Sequence, residues 1–253
     1  MTAPHDPRLV FDTVPEQFEK WRRRYCPELF SFIVENCGLS AEKRCLEIGP
    51  GTGQATDFAL NTGCDYTAIE LGEHLAEVMR RKYSAFPNFK IINADFETYP
   101  FEKEQFDLVY AAATIQWLKE DIAYTKCFDI LRKGGFLAMF LMSGNYQDTN
   151  PELYSEIQYV YDNYYDSEQP YRQKFGYLNG TEYGFSFVGK FEFPGRREYT
   201  ADEYLEYIKT HSDHITLKPE CRQVFFNGIR EAILRHNDRI VFEDRYILYL
   251  YRK

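Results

Sequence analysis

The chain has 253 residues, with 30 basic and 39 acidic side chains, so its formal net charge is −9. That length holds one large domain, or a domain with an appended part, and buries enough apolar surface to fold without disulfides or metals. The acidic balance argues against a nucleic-acid partner, which needs a surplus of Lys and Arg on one face. A hydrophobic fraction of 44% and a charged fraction of 27% belong to a globular protein, not a disordered chain. The unusual figure is the 17% aromatic content, with 21 Tyr and 21 Phe.

The six cysteines are Cys26, Cys37, Cys45, Cys64, Cys127 and Cys221. None forms a CxxC pair and no His pair stands at finger spacing from them, so no metal centre is expected. Scattered thiols read as small buried hydrophobes in a reducing cytosol. Residues 1–15 hold Pro, His and Asp where a signal peptide needs an apolar run. The longest apolar run, Phe136 to Met142, is too short to cross a bilayer. The expectation is a cytoplasmic protein with no membrane partner.

Residues 44–48 (RCLEI) form a short apolar strand that ends in glycines. A helix is expected from Gln54, closed at Thr62-Gly63 by a left-handed glycine cap. Residues 65–70 (DYTAIE) read as a second strand. Leu75, Met79 and Tyr83, with Val78 beside them, then recur on one helical face. Pro87-Asn88 breaks that helix, and Phe89 to Ile92 make a third strand. Residues 106–113 (FDLVYAAA) are almost continuously apolar, as a strand buried on both faces should be. A helix through Cys127 to Leu131 is expected to end at Lys133-Gly134-Gly135, ahead of a strand over 136–142. Strands separated by helix-length segments imply βαβ units and a parallel sheet.

After Gly144 the texture changes. Residues 151–187 are crowded with Tyr and lack strand-length apolar runs until about Phe185. A strand near 185–193, helices near 201–210 and 219–235, and a strand over 240–251 complete the pattern. Leu153, Ile157 and Tyr161 share a helical stripe, which marks core more often than a ligand box.

The segment LEIGPGTGQAT (46–56) is strand, glycine turn, helix, and its glycines let backbone approach a ligand. The dinucleotide fingerprint needs glycine at Gln54 or Thr56, counted from Gly49 or Gly51, and both registers fail. Glu70 follows Gly49 by 21 positions at the end of the second strand, where a carboxylate accepts from both ribose hydroxyls. Asp95, with Phe96 beside it, follows the third strand and suits an adenine amino group and ring face. Three features at the C-terminal ends of consecutive strands point to one crevice.

These segments resemble class I S-adenosylmethionine (SAM)-dependent methyltransferases: LEIGPGTGQAT their first motif; Glu70, Asp95-Phe96 and FDLVYAAATIQWL the motifs that follow. Gln116-Trp117-Leu118 and WRRRYCPEL resemble the group that holds trans-aconitate and malonyl-carrier-protein methyltransferases. Arg23 stands where that group often has Pro, and Cys26 is inserted before Pro27. The resemblance implies a Rossmann-like three-layer α/β sandwich, its seven-stranded sheet mostly parallel with the last strand antiparallel, plus a Tyr-rich helical insert. It implies one domain over 1–253: an N-terminal helical cap 1–43, a cofactor-binding core 44–145, a lid-like insert 146–184 and the rest of the sheet over 185–253.

By that resemblance Glu47, Gly49, Gly51 and Gly53 would surround the methionine part of SAM, Glu70 and Leu71 the ribose, and Asp95 with Phe96 the adenine. Ala111, Ala112 and Trp117 would flank the methionyl moiety and sulfonium, and Arg22 would pair with the SAM carboxylate. Transfer would yield S-adenosylhomocysteine. The acceptor is expected to be a small molecule. No Ser/His/Asp or paired-carboxylate arrangement is visible in the segments expected to cover the site, which favours a carboxylic acid, already ionised at pH 7. An anionic acceptor would meet Trp117, Tyr171, Arg196, His211 and His214, with Arg172, Lys174 and Arg197 as further donors. The alternative is a SAM-binding protein without transfer activity, a sensor or a partner subunit. The oligomeric expectation is a monomer or a homodimer.

Overall fold

The computed structural model describes residues 6–168 and 175–253; Tyr171, Arg172 and Lys174 lie outside the described residues. In chain order the elements are a 3-10 turn Pro7–Thr13, α1 Pro15–Trp21, α2 Pro27–Cys37, β1 Arg44–Ile48, α3 Asp57–Leu60, β2 Asp65–Glu70, α4 Glu73–Lys82, β3 Phe89–Asn93, β4 Phe106–Ala112 and a 3-10 turn Ile115–Trp117. Next come α5 Glu120–Ile130, β5 Leu131–Asn145, α6 Pro151–Tyr164, a 3-10 turn Asn179–Tyr183, β6 Ser186–Tyr199, α7 Ala201–Ile208, α8 Ser212–Ile215, α9 Pro219–Arg235 and β7 Ile240–Arg252. Among the described residues no helix is long and apolar enough to cross a membrane.

The chain divides into two compact units. The first, here the core unit, comprises 23–142, 173–193 and 246–253. Its sheet runs β3-β2-β1-β4-β5-β7-β6, with β3, β2, β1, β4 and β5 parallel and an antiparallel final pair. The mixed seven-stranded sheet of the expectation is therefore present. Alternation along β1 builds a layer on each face. Cys45 joins Leu29, Ile33, Ala59, Leu60 and Met79 beneath α2, α3 and α4, while Leu46 and Ile48 join Ala123, Tyr124, Cys127 and Ile130 of α5.

Three expectations are corrected. The helix from Gln54 is reduced to the four residues of α3, because Gly51 to Thr56 are turn and Gly53 holds φ +92°. Helix α5 stops at Ile130 without a glycine cap. Gly134, at φ +82°, and Gly135 instead lie inside β5, exchanging backbone hydrogen bonds with Lys253 at 2.8 and 2.9 Å. Strand β6 continues to Tyr199, past the end expected near 193, so Arg196 and Arg197 are strand residues.

The second unit comprises residues 1–22, 143–172 and 194–245. Its core is Leu153, Ile157 and Val160 of α6 against Leu205 and Ile208 of α7 and Phe225, Ile229 and Ile233 of α9. The Leu153–Ile157–Tyr161 stripe is thus packing surface, and Tyr199, Tyr204 and Tyr207 join the same cluster. The stretch 146–184 divides between the units. Residues 175–184 belong to the core unit, where Glu120 accepts from the Gly176 N–H at 2.7 Å and the Asn179 amide at 2.7 Å.

Candidate active site

At the C-terminal edge of the parallel strands, Ile48 pairs with Ile69 and Glu70 with Asn93, so the ends of β1, β2 and β3 lie side by side. The strand order reverses between β1 and β4, and ligands of open α/β sheets bind at such a switch point. The loop after β1 turns on Gly49, Gly51 and Gly53 at φ +59°, +61° and +92°, values that L side chains adopt only under strain. A Cβ on Gly49 would collide with the Thr114 methyl, and Thr114 is held in place by its hydroxyl, which donates to the Gly49 carbonyl at 2.9 Å. On Gly53 a Cβ would sit 2.6 Å from the Tyr83 hydroxyl.

The loop is clamped from several sides. Glu70 accepts from the Gly51 N–H at 3.0 Å and the Gly72 N–H at 2.9 Å. Lys82 donates to the Thr52 carbonyl at 2.9 Å, and Arg24 to the Gly53 carbonyl and the Asp57 carboxylate. Thr114, Tyr83, Lys82 and Arg24 were not among the residues expected at the site. Tyr83 was legible only as the third member of an apolar stripe, and a lone Thr, Lys or Arg carries no spacing signal.

Glu47 does not line the loop's open side. Its side chain is wholly buried beneath α3, where Oε2 accepts from the Thr56, Tyr66 and Tyr110 hydroxyls, at 2.6 Å for Thr56 and 2.8 Å for Tyr110. Burial pushes the carboxyl pKa up against those three donors, and Oε1 has no hydrogen-bond partner. Phe96 was expected beside the adenine. Its ring is buried against Phe101 and lies under the Lys126 ammonium at 5.1 Å. Asp95 closes the turn after β3, accepting from the Glu97 N–H at 2.9 Å. Leu71 is half-buried, and its carbonyl accepts from the Asn93 amide at 3.1 Å.

Lys126 ties this turn down, donating to the Glu97 and Tyr99 carbonyls at 3.3 and 2.5 Å, and burial pushes its pKa down. Lys126→Met should therefore speed amide hydrogen exchange at Glu97 and Tyr99 by about tenfold, the scale of one lost charged hydrogen bond. Exchange at wild-type rates would show that the turn holds without it.

At the end of β4, Ala111 is buried and Ala112 half-buried, and Ala113, just beyond it, holds φ +52°, a left-handed conformation costing a non-glycine residue about 1–2 kcal/mol. Such outliers cluster at functional sites. Trp117 is half-buried in the turn that follows, its N–H on the Thr114 carbonyl at 2.9 Å.

The remaining candidates belong to the second unit. Arg22 donates to the Thr210 carbonyl at 2.9 Å and lies over Phe11 and Phe18. Arg196 is exposed, 3.6 Å from Glu243. His214 is buried, its Nδ1 2.8 Å from Asp213 and its Nε2 2.8 Å from the Tyr161 hydroxyl, and the Tyr165 hydroxyl donates to Asp213 at 3.0 Å. Burial raises the Asp213 pKa, but the hydrogen bond and charge of His214 outweigh it and hold the carboxyl well below the usual range. Burial, with the Arg22 and His214 charges, pushes the His211 pKa down. His211, Asp213 and His214 bring ligand atoms within 4.8 Å of one another. The sequence offered no His-centred relay, because Tyr161 and His214 stand 53 positions apart.

A family model described as a methyltransferase domain matches residues 46–139. A malonyl-[acyl-carrier protein] O-methyltransferase from Paenibacillus sp. (strain JDR-2) is 30% identical over 230 residues, covering 81% of this chain and 80% of the relative. Two solved structures share the fold. A geranyl diphosphate methyltransferase in complex with SAM has a TM-score of 0.52 at 13% identity, covering 89% of this chain and 84% of its own. The [4+2]-cyclase SpnF has 0.61 at 15%, covering 100% and 97%. The glycine loop at the switch point of this sheet defines a nucleoside-cofactor enzyme of the Rossmann-like class. Together with the family match and the long O-methyltransferase alignment, it means that the chain belongs to the class I SAM-dependent methyltransferases. Its cofactor is SAM.

Proposed function

We propose that the enzyme methylates a small-molecule acceptor at an oxygen of a carboxylic acid. The observation that carries this reading is the alignment over four-fifths of both chains with an O-methyltransferase named for malonyl-[acyl-carrier protein]. The residues of the core unit fit SAM. The glycine turn has no room for a Cβ at Gly49 or Gly53, and Glu70 and Asp95 supply carboxylates to a ligand rich in hydroxyl and amino donors. In this assignment Glu70 and Leu71 hold the ribose, Asp95 the adenine amino group, and Gly49, Gly51, Gly53, Ala111, Ala112 and Trp117 pass the methionyl part. Glu47 and Phe96 support the loop and the turn from beneath. When bound, SAM supplies an electrophilic methyl group on a sulfonium. The protein's task is alignment and exclusion of water. A carboxylate acceptor brings its own negative charge and needs no base.

A second reading, a hydroxyl acceptor, is favoured by the Asp213–His214–Tyr161 chain, since a phenol or alcohol must lose a proton. One assay separates the two: formation of S-adenosylhomocysteine with panels of acids, phenols and amines, followed across pH 6 to 9. Turnover of acids at a rate flat over that range is the expected result. Turnover confined to phenols, rising with pH and lost in His214→Gln, would replace the first reading by the second.

A further inference from the structure

We propose that the enzyme forms a two-fold homodimer through the open edge of β6, with a register fixed by Phe191. β6 is the last strand of the sheet. Among the described residues no turn, loop or cap backbone hydrogen bond reaches it from outside the sheet. Its side chains alternate without a slip from Gly189 to Tyr199, odd positions turned inward and even positions exposed. Lys190, Glu192 and Pro194 therefore share one phase of the ladder. A proline inside a strand turns its missing N–H away from the neighbouring strand. Lys190 and Glu192, in phase with Pro194, consequently aim their N–H and C=O groups at the open edge.

Two antiparallel copies of one strand meet on a two-fold axis, so each register is defined by the residue that faces itself. With the axis at Lys190 or at Glu192, like charges oppose. With the axis at Phe191, Lys190 of one copy faces Glu192 of the other, twice over. Each is then a hydrogen-bonded pair, with both N–H groups donating to the facing carbonyls. The same register sets Val188 against Pro194 and Phe187 against Gly195 of the second copy. Val188 and Phe187 are among the exposed large apolar residues of the chain, at 46% and 42%. Apolar thus meets apolar, and acid meets base. In each copy Lys190 and Glu192 already pair along the strand at 2.6 Å, so the dimer exchanges two intrastrand ion pairs for two cross-strand ones. Lys and Pro on an edge also discourage promiscuous pairing. Here Pro194, which cannot donate, ends the ladder after a short run and keeps the pairing from sliding.

The test is light scattering coupled to size exclusion, with sedimentation equilibrium, on the full chain. Wild type is expected at twice the 30.0 kDa chain mass at tens of micromolar. Lys190→Glu and Glu192→Lys should each raise the dissociation constant about tenfold or more, by turning two attractive pairs into repulsive ones. The double exchange K190E/E192K should restore the dimer. Both sites are exposed, and circular dichroism checks that the three variants fold. A monomeric wild type, a dimer indifferent to the single exchanges, or a double exchange that fails to restore it would each overturn the proposal.

Discussion

Glu70→Ala should weaken SAM binding by about ten- to a hundredfold, the scale of one charged hydrogen bond. The carboxylate has two tasks that alanine cannot perform. It anchors the Gly51 N–H of the glycine loop and the Gly72 N–H at the start of α4. In the proposed assignment it also accepts from the ribose hydroxyls. Without it the loop loses a buried anchor and the ligand loses a charged partner, so affinity falls by more than either effect alone. Glu70→Gln should fall between the two, because its amide oxygen can accept one N–H while its NH2 faces the other. Calorimetry measures this directly. A thermal-shift series checks it, since SAM at 100 times its dissociation constant stabilises by about 2.7 kcal/mol. Unchanged calorimetric affinity in Glu70→Ala would remove Glu70 from the site.

That the strand-end position of Glu70 was readable from sequence, and that the hydroxyl cluster around Glu47 was not, have a common physical origin. Apolar runs of strand length ending in glycine or acid place side chains along one strand, and the crossover rules place consecutive strands side by side. So the order β1, β2, β3 and the alignment of Gly49, Glu70 and Asp95 followed from local pattern, and the structure sets those strand ends together. Whether a carboxylate opens on a ligand or on a hydroxyl cluster depends on Tyr66 and Tyr110, 19 and 63 positions from Glu47. No local spacing encodes such contacts. The same limit explains Phe96, whose ring lies under the Lys126 ammonium 30 positions away, and the unforeseen continuation of β6, whose Arg196-Arg197 pair reads as surface by composition. The aromatic surplus is likewise resolved by packing. Tyr199, Tyr204 and Tyr207 fill the core of the second unit, leaving Tyr159 the most exposed large hydrophobic among the described residues, at 61%.

Arg197 and Asp244 define the second large effect. Their side chains are 5% and 1% exposed, and Nε of Arg197 donates to both carboxylate oxygens at 2.8 and 2.7 Å. The guanidinium lies 4.2 Å from the Phe242 ring centre and 5.1 Å from that of Tyr207, and Gly144 leaves room where a Cβ would strike both charged groups. Asp244→Ala leaves a buried guanidinium with aromatic faces but no counter-charge. It should lower the unfolding free energy by about 3–5 kcal/mol, measured by urea denaturation. Arg197→Met should cost less than Asp244→Ala, because a buried carboxylate can regain neutrality by taking a proton, which a guanidinium cannot shed. The paired replacement R197M/D244L should recover most of the loss, since an apolar pair of similar volume fills the space without desolvating charge. If Asp244→Ala loses under about 1 kcal/mol, the range of surface pairs, then water reaches the ion pair and it does not hold the second unit together.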